Sequence, residues 1–258
     1  MKKNFFFWMT AIAMLIMSSC QKEVGFGTEA TVSFEIGTPE IATRAYSDGT
    51  TATVLQYAVY NEKGEELEDL TVKNAEIHGS TTVNLQLTTG NTYSVIFWAA
   101  AENAPYTVDF ANKTMTVDYS TAVSNDENRD AFYKFHEFTV TGAQTEIIEL
   151  RRPFAQLNIG TGDLEASKNA GYEPKYSFVK VSNVYNTLDL VEGKVSGAAA
   201  VVYSYNAIPT AETFPVEGYD YLAMNYLLVA SDKEVVDVEF GYTSDKTVIH
   251  GFSAKVKQ

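Results

Sequence analysis

The sequence predicts an all-β fold, and three observations support this prediction. Apolar and polar residues alternate over many short segments, which is the period of a strand with one buried face. Turn-forming residues separate these segments at short intervals, as they do in β-sandwiches. The composition is 45% hydrophobic and includes 16 Tyr and 15 Phe, which favours strands and excludes general disorder.

The first nineteen residues have the three regions of a secretory signal peptide. Two lysines precede an apolar run over residues 5–17, and the small residues Ser18 and Ser19 follow it. This run is shorter than the roughly 20 apolar residues that a membrane-spanning helix needs. We therefore expect residues 1–19 to be removed as a signal peptide when the protein is exported.

Cys20 is the single cysteine of the sequence, which excludes an internal disulfide. It is either an ordinary free thiol or a modified one. The segment 15–20 resembles the lipobox of bacterial lipoproteins, in which the thiol carries diacylglycerol and acyl chains such as palmitate. Residues 20–23 also resemble a short export signal for the outer face of the outer membrane. We expect Cys20 to be the lipid attachment site and residues 20–30 to be a lipidated tether.

Alternation begins at residue 31 and predicts a first strand that places Val32, Phe34 and Ile36 in the core of a domain. Two later alternating segments, 83–87 and 93–97, flank the turn-forming residues at positions 89–91. This arrangement predicts a hairpin. Further strands of the same domain are predicted at 55–59, 115–117, 138–140 and 147–150.

A short basic segment that ends in a proline, Arg151-Arg152-Pro153, interrupts the strands. Because proline is poorly tolerated inside central strands, we place a domain boundary there. The sequence thus predicts an N-terminal β-sandwich domain over residues 31–150 and a C-terminal one over residues 151–258. The second set of strands is predicted at 154–159, 178–181, 184–185, 221–229, 236–240, 247–249 and 252–256, with a hairpin at 187–195.

The motifs of common enzyme classes are absent from the sequence. The three histidines, His78, His136 and His250, have no metal-ligand spacing, and there is no nucleophile elbow, phosphate loop or dinucleotide-binding glycine pattern. We expect no catalytic activity, no cofactor and no metal site. A carboxylate pair of the kind used in glycoside hydrolysis stays open, because such pairs meet only in the folded chain.

One acidic segment has the spacing of a calcium-binding loop. Asp126, Asn128, Asp130 and Glu137 occupy positions 1, 3, 5 and 12 of such a loop, but Ala131 replaces the glycine that its sharp turn requires. The helices that normally flank the loop are not predicted either. The segment is therefore predicted to be a solvated acidic loop.

The charge balance restricts the partners of the protein. The formal net charge is −14, and the lysines and arginines form no basic stripe. A chain of this kind repels the phosphate backbone of nucleic acids, so nucleic acid is not an expected partner. High negative charge also favours solubility at a cell surface.

Arg44 is one of four arginines and lies between the first predicted strand and a polar stretch. The segment around it has the features of an exposed loop, which is where proteases cut folded proteins. A protease-processing site at Arg44 and Ala45 is one interpretation. A solvated surface arginine is the other.

Five segments, taken in their order along the chain, resemble the fimbrillin family, the type V pilins of Gram-negative anaerobes. The leader over residues 1–23 resembles that of its lipoproteins, and Ala42-Thr43-Arg44-Ala45 resembles its processing site. Three later segments resemble the opening and the later strands of its second domain. These segments are 150–159, 185–188 and 219–229. The resemblance covers nearly the whole chain.

The resemblance implies two tandem transthyretin-like β-sandwich domains after a lipoprotein signal peptide. It also implies an arginine-specific maturation protease that cuts between Arg44 and Ala45 and frees the first strand, with Val32, Phe34 and Ile36. The vacated groove takes a donor strand from other pilin subunits. The implied location is the outer membrane and cell surface, and the fimbrium after processing, with a role in adhesion.

Members of this family usually continue beyond a strand like 252–256 into a further segment that serves as donor, whereas this chain stops at Gln258. From this difference we expect a structural or accessory subunit that accepts a donor strand and donates poorly, as a tip subunit does.

A monomeric outer-membrane surface lipoprotein that binds glycans is the alternative. Such a protein would recognise host or microbial sugars on exposed aromatic residues. Trp98 is the only tryptophan after the leader, which disfavours this function, whereas the 16 tyrosines favour it.

Overall fold

The computed structural model describes residues 27–39, 46–210, 212–230, 235–245 and 250–257. These residues form fifteen strands, one short α-helix and two 3-10 helices, so the predicted all-β sandwich fold is confirmed. No helix among them is long and apolar enough to cross a membrane. Cys20, Arg44, Ala45 and the strand predicted at 247–249 lie outside the described residues.

Nine strands of the described chain precede residue 150, and seven of them form two sheets that face each other. The nine strands are β1 (Glu29–Gly37), β2 (Val54–Tyr60), β3 (Val72–Glu76), β4 (Ser80–Thr88), β5 (Thr92–Ala100), β6 (Tyr106–Asp109), β7 (Thr114–Val117), β8 (Ala131–Thr139) and β9 (Gln144–Glu149). One sheet has the order β4-β1-β9 and the other the order β3-β2-β5-β8. The core of this half of the chain lies between the two sheets.

The hairpin predicted for residues 83–97 is wrong. β4 pairs with β1, whereas β5 pairs with β2 and β8 in the facing sheet. The turn at Gly90, which has a positive φ of 87°, therefore carries the chain from one sheet to the other. Alternation identifies which side chains are buried. It does not identify the partner strand, because two paired strands and two strands that face each other across a core show the same alternation.

The strands after residue 150 form two further sheets. They are β10 (Ala155–Thr161), β11 (Tyr176–Asp189), β12 (Val195–Ala207), β13 (Asp220–Leu227), β14 (Val235–Thr243) and β15 (His250–Lys257), and the helix α1 (Leu164–Asn169) follows β10. β10 pairs with β13, and β11 pairs with both β12 and β14, with β15 beyond β14. The hairpin predicted at 187–195 is confirmed, because Leu188 lies opposite Val195.

The largest sheet contains strands from both sides of residue 150. β7 pairs with the end of β11, where Met115 lies opposite Leu188, and β6 pairs with β7. Both β6 and β7 precede residue 150, so backbone pairing links the two halves of the chain. The domain ranges 31–150 and 151–258 stay a prediction.

Three apolar clusters form the core, and some strands are buried on both faces because they lie between clusters. On β5, Val95 and Phe97 face the first cluster, whereas Ile96 and Trp98 face the second. β13 separates the second cluster from the third in the same way. Because the second cluster also contains Met115 and side chains of β11 and β13, it joins the two halves of the chain.

We expect the two halves to unfold in one transition, because the second cluster belongs to both. Trp98 is 1% exposed in that cluster and is the only tryptophan after the leader, so its fluorescence reports on the shared core. In guanidinium chloride, the fluorescence of Trp98 and the far-UV circular dichroism should change with the same midpoint. Two separated transitions would contradict a shared core.

Candidate functional site

β1 is the middle strand of its sheet. It pairs antiparallel with β4 along its whole length, from Glu29 opposite Thr88 to Gly37 opposite Ser80. On its other side it pairs parallel with β9 over residues 32–37. β4 and β9 pair with no other strand of the described chain. In this part of the chain, β1 alone therefore joins them.

The inward side of β1 fills part of the first cluster. Val32 and Phe34 are fully buried, and Ile36 is 1% exposed. The ring of Phe34 lies 5.5 Å from that of Phe97 and, edge to face, 5.2 Å from that of Phe138 in the facing sheet. Burying each of the three inward side chains contributes roughly 1.5–3 kcal/mol. Apolar packing and two rows of backbone hydrogen bonds therefore hold the strand.

The outward side of β1 makes few side-chain contacts. The hydroxyl of Ser33 donates to Oδ1 of Asn84 over 2.7 Å, and Nε2 of Gln86 donates to the hydroxyl of Thr31 over 2.8 Å. The side chain of Glu35 is exposed. Hydrogen bonds between neutral groups contribute about 1 kcal/mol each. The outward residues therefore hold β1 less firmly than the inward ones.

A groove would remain if β1 were absent. Both β4 and β9 would then present unpaired backbone N–H and C=O groups, and such edges are templates for the addition of another strand. A surface cavity of about 650 Å³ already lies at the carboxyl end of β1, between Pro39, Thr81 and Ile147. Ile147 is 75% exposed there. This open end of β1 is the one that precedes Arg44 in the sequence.

The predicted inward residues of β1 share one buried face, as the alternation of the sequence predicts. The lipid site Cys20 and the processing site at Arg44 and Ala45 lie outside the described residues, so their roles stay predictions. The sequence did not identify β4 and β9 as the neighbours of β1. β9 lies at the far end of the first half of the chain, and parallel pairing over such a separation leaves no local signal.

The prediction of a solvated acidic loop is wrong for Asp130. This residue is fully buried and forms an ion pair with Arg152, with 2.5 Å between Oδ1 and Nε. Burial raises the pKa of the Asp130 carboxyl, and the hydrogen bond and charge of Arg152 oppose that shift. Asp126 instead caps a 3-10 helix by accepting a hydrogen bond from the N–H of Asn128.

Neither a metal site nor a histidine-based site is found in the described chain. No group of three His, Cys, Asp or Glu residues there is placed to hold a metal ion. Nε2 of His136 lies 3.0 Å from a carboxylate oxygen of Glu146, which makes this contact an ordinary pair between neighbouring surface residues.

Comparisons with known proteins found one family model and several solved structures that match this chain. The model of a family of unknown function, DUF6562, matches residues 22–256. No curated protein matches the sequence significantly. Among solved structures, the fimbrial anchor protein Mfa2 from Porphyromonas gingivalis is similar, with 12% identity, a TM-score of 0.52, and coverage of 88% of this chain and 82% of that chain.

Two other similar structures come from Bacteroides. A candidate adhesin from Bacteroides ovatus has 12% identity and a TM-score of 0.53, with coverage of 88% of this chain and 77% of that chain. A candidate polysaccharide-binding protein from Bacteroides thetaiotaomicron has 14% identity and a TM-score of 0.54, with coverage of 84% and 78% respectively. At these identities, the similarity shows a common fold.

Phe34→Ala should lower the free energy of unfolding by about 3–5 kcal/mol, the range for a buried phenylalanine replaced by alanine. The matched control is Glu35→Ala on the same strand, whose exposed side chain should leave the free energy within about 0.5 kcal/mol of the wild type. Chemical denaturation followed by circular dichroism measures both values. Equal losses for the two substitutions would contradict the orientation of β1.

Proposed function

The chain belongs to the DUF6562 family of unknown function, and we propose that it is a fimbrillin-like surface lipoprotein, a structural or accessory subunit of a type V pilus. In this proposal the subunit is assembled by proteolysis-triggered donor-strand exchange and has a role in adhesion. The observation that carries the proposal is the position of β1, a buried middle strand that directly precedes the proposed cut at Arg44.

The proposed sequence of events begins with export and with anchoring of the chain to the outer membrane through lipid on Cys20. An arginine-specific protease then cuts between Arg44 and Ala45. Before the cut, β1 and its groove belong to one chain, so β1 rebinds at a high effective concentration. After the cut, noncovalent contacts alone hold β1, and a competing strand can replace it for good.

A groove filled by a donor strand is lower in free energy than an empty groove. An empty groove exposes the apolar surface that Val32, Phe34 and Ile36 cover, at roughly 1.5–3 kcal/mol per side chain. It also leaves the backbone edges of β4 and β9 unpaired. A donor strand with apolar residues at every second position restores both kinds of contact. β1 is therefore released when another pilin subunit supplies such a strand.

The proposed cut also changes what holds the protein at the membrane. Cys20 and β1 lie on the anchored side of Arg44, and the rest of the chain lies on the other side. Once a donor strand has replaced β1, the body of the protein is bound to the donor subunit and no longer to the lipid. Strand exchange thus transfers a subunit from the outer membrane to the fimbrium.

Two of the similar structures support this role, since one is a fimbrial anchor protein and another is a candidate adhesin. The predicted signal peptide and lipobox of this chain are consistent with such a role at the cell surface. Other pilin subunits are the proposed partners. The host or microbial ligand of the assembled fibre is left open, and no catalytic role is proposed.

Glycan binding by a monomeric outer-membrane lipoprotein is the second candidate function. The similarity to a candidate polysaccharide-binding protein supports it, and so do the rings of Tyr172 and Tyr219, which are 63% and 49% exposed. Trp98 argues against it, because this ring is buried in the second cluster and offers no stacking surface to a sugar. The pilus role is therefore preferred.

Arg44→Ala should prevent the cut and keep β1 in its groove, so this variant should not enter fibres. Each purified variant is mixed with a donor pilin and the maturation protease, and the fibres are examined by negative-stain microscopy and mass spectrometry. The matched control is Arg151→Ala, which removes an exposed arginine beside the cavity and should be cut and incorporated like the wild type. Incorporation of the uncut Arg44→Ala chain would contradict strand exchange.

A further inference from the structure

A buried polar cluster holds Ser47, which lies between the proposed cut and β2. The N–H of Ser47 donates to Oε2 of Glu127 over 2.9 Å, and its carbonyl oxygen accepts from Nη2 of Arg152 over 3.1 Å. Its hydroxyl lies 2.7 Å from that of Tyr226. Ser47 is 1% exposed, and its N–H, its carbonyl oxygen and its hydroxyl each have a partner.

The backbone of Ser47 indicates how firmly this cluster holds it. Its φ is 67°, a left-handed conformation that is uncommon for residues other than glycine. Such a conformation persists only where the surrounding contacts determine it. Two residues later, Gly49 has a φ of 78°, and a Cβ there would lie 3.2 Å from the ring of Phe132. The chain is therefore fitted closely to its surroundings at both positions.

The partners of Ser47 are themselves fixed. Nε and Nη2 of Arg152 donate to the two carboxylate oxygens of buried Asp130 over 2.5 and 2.8 Å, a bidentate ion pair. The hydroxyl of Tyr226, on β13, donates to Oε1 of Glu127 over 3.0 Å. Ser47 is thus held by residues that also have partners of their own, and such preorganisation lowers the entropy lost on binding.

Tyr46 adds an apolar anchor beside Ser47. It is 7% exposed in the second cluster, and its ring lies edge to face with that of Tyr221 on β13, 5.0 Å away. A buried aromatic pair of this geometry contributes beyond the area that it covers. The anchors of Tyr46 and Ser47 therefore belong to the second half of the chain and to the segment 127–130, and none of them belongs to β1, β4 or β9.

We propose that residues 46–51 form a latch, which stays docked on the second half of the chain when β1 leaves and so confines strand departure to β1. This inference rests on the proposed function, because it concerns the amino terminus that a cut after Arg44 creates. Residues 46–51 of the same chain are the segment that binds to Glu127, Arg152, Tyr221 and Tyr226. The latch keeps the start of β2 in place and protects Ala52, which is 1% exposed in the first cluster.

The protonation state of Glu127 does not open the latch. The groups around this carboxyl are Tyr46, Ser47, Asp48, Asp130, Arg152 and Tyr226. Burial, which outweighs the hydrogen bonds from Ser47 and Tyr226, raises the pKa of Glu127 from 4.5 to about 7. A neutral carboxyl still accepts the Ser47 N–H with one oxygen and donates its proton to the Tyr226 hydroxyl, which can turn towards the Ser47 hydroxyl.

The sign of the pH effect follows from that raised pKa. The folded protein holds a proton on Glu127 between pH 4.5 and about 7 that the unfolded chain releases. The contribution of Glu127 to stability therefore falls as the pH rises through this window. The geometry of the latch is kept in both states, so the test of the latch is made by removing its hydrogen-bonding groups.

Hydrogen–deuterium exchange of the chain without its leader tests the latch in the intact protein. Tyr226→Phe removes both hydroxyl contacts and keeps the ring, and Glu127→Ala removes the acceptor of the Ser47 N–H. In either variant, amides of residues 46–53 should exchange about tenfold faster, as expected on loss of a buried hydrogen bond, while those of β1 should not change. The controls are Tyr172→Phe and Glu137→Ala, at exposed positions.

A second arm uses the wild-type chain cut after Arg44 and incubated with a synthetic peptide of the β1 sequence, residues 29–37. Residues 46–53 should stay protected within about twofold of the intact chain while the original β1 is displaced. Loss of protection at 46–53 on displacement would overturn the latch, and so would equal acceleration of 46–53 and β1 in the intact variants. Failure of the cut or of displacement would overturn only the proposed function, because the intact variants still decide the latch.

Discussion

Three side chains of β1 occupy the core between two sheets, and the strand that carries them is what joins β4 to β9. Val32 and Phe34 are fully buried and Ile36 is 1% exposed, although all three lie close to the amino end of the described chain. In the proposed mechanism, a single cut after Arg44 would separate this core strand from the rest of the chain that it stabilises. Its backbone bonds and apolar packing can be supplied equally well by a strand of the same alternation from another chain.

The second cluster explains why the loss of β1 need not unfold the rest of the molecule. It contains residues of β5, β7, β11 and β13, and no residue of β1. The sheet β3-β2-β5-β8 packs against this cluster with the face that points away from β1, and this contact does not depend on β1. The latch over residues 46–51 belongs to the same support, since Tyr46 packs in this cluster and Ser47 is bound to Tyr226. The proposed mechanism thus treats β1 as the exchangeable strand and the rest of the fold as a body with a core of its own.

The sequence predicted burial better than it predicted pairing. Alternation identified the inward residues of β1 and the inward faces of β4 and β5, because a period of two follows directly from the geometry of a strand. It assigned β4 and β5 to one hairpin, since the period does not say which strands are neighbours. β12 was missed because the small residues at 197–200 hide its alternation. The latch was missed as well, because Asp130 and Glu127 find their partners, Arg152 and Tyr226, only through long-range folding.

The central claim is that β1 must leave its groove for the protein to assemble. Ser33 and Asn84 lie directly opposite each other on β1 and β4 with their side chains in contact, so cysteines at both positions can form a disulfide on the exposed face. In a Cys20→Ser background this bond would tie β1 to its groove even after the cut at Arg44. The measurement is incorporation of the cut double-cysteine protein into fibres, before and after reduction. The account predicts no incorporation of the oxidised form and recovery on reduction, whereas equal incorporation of both forms would contradict it.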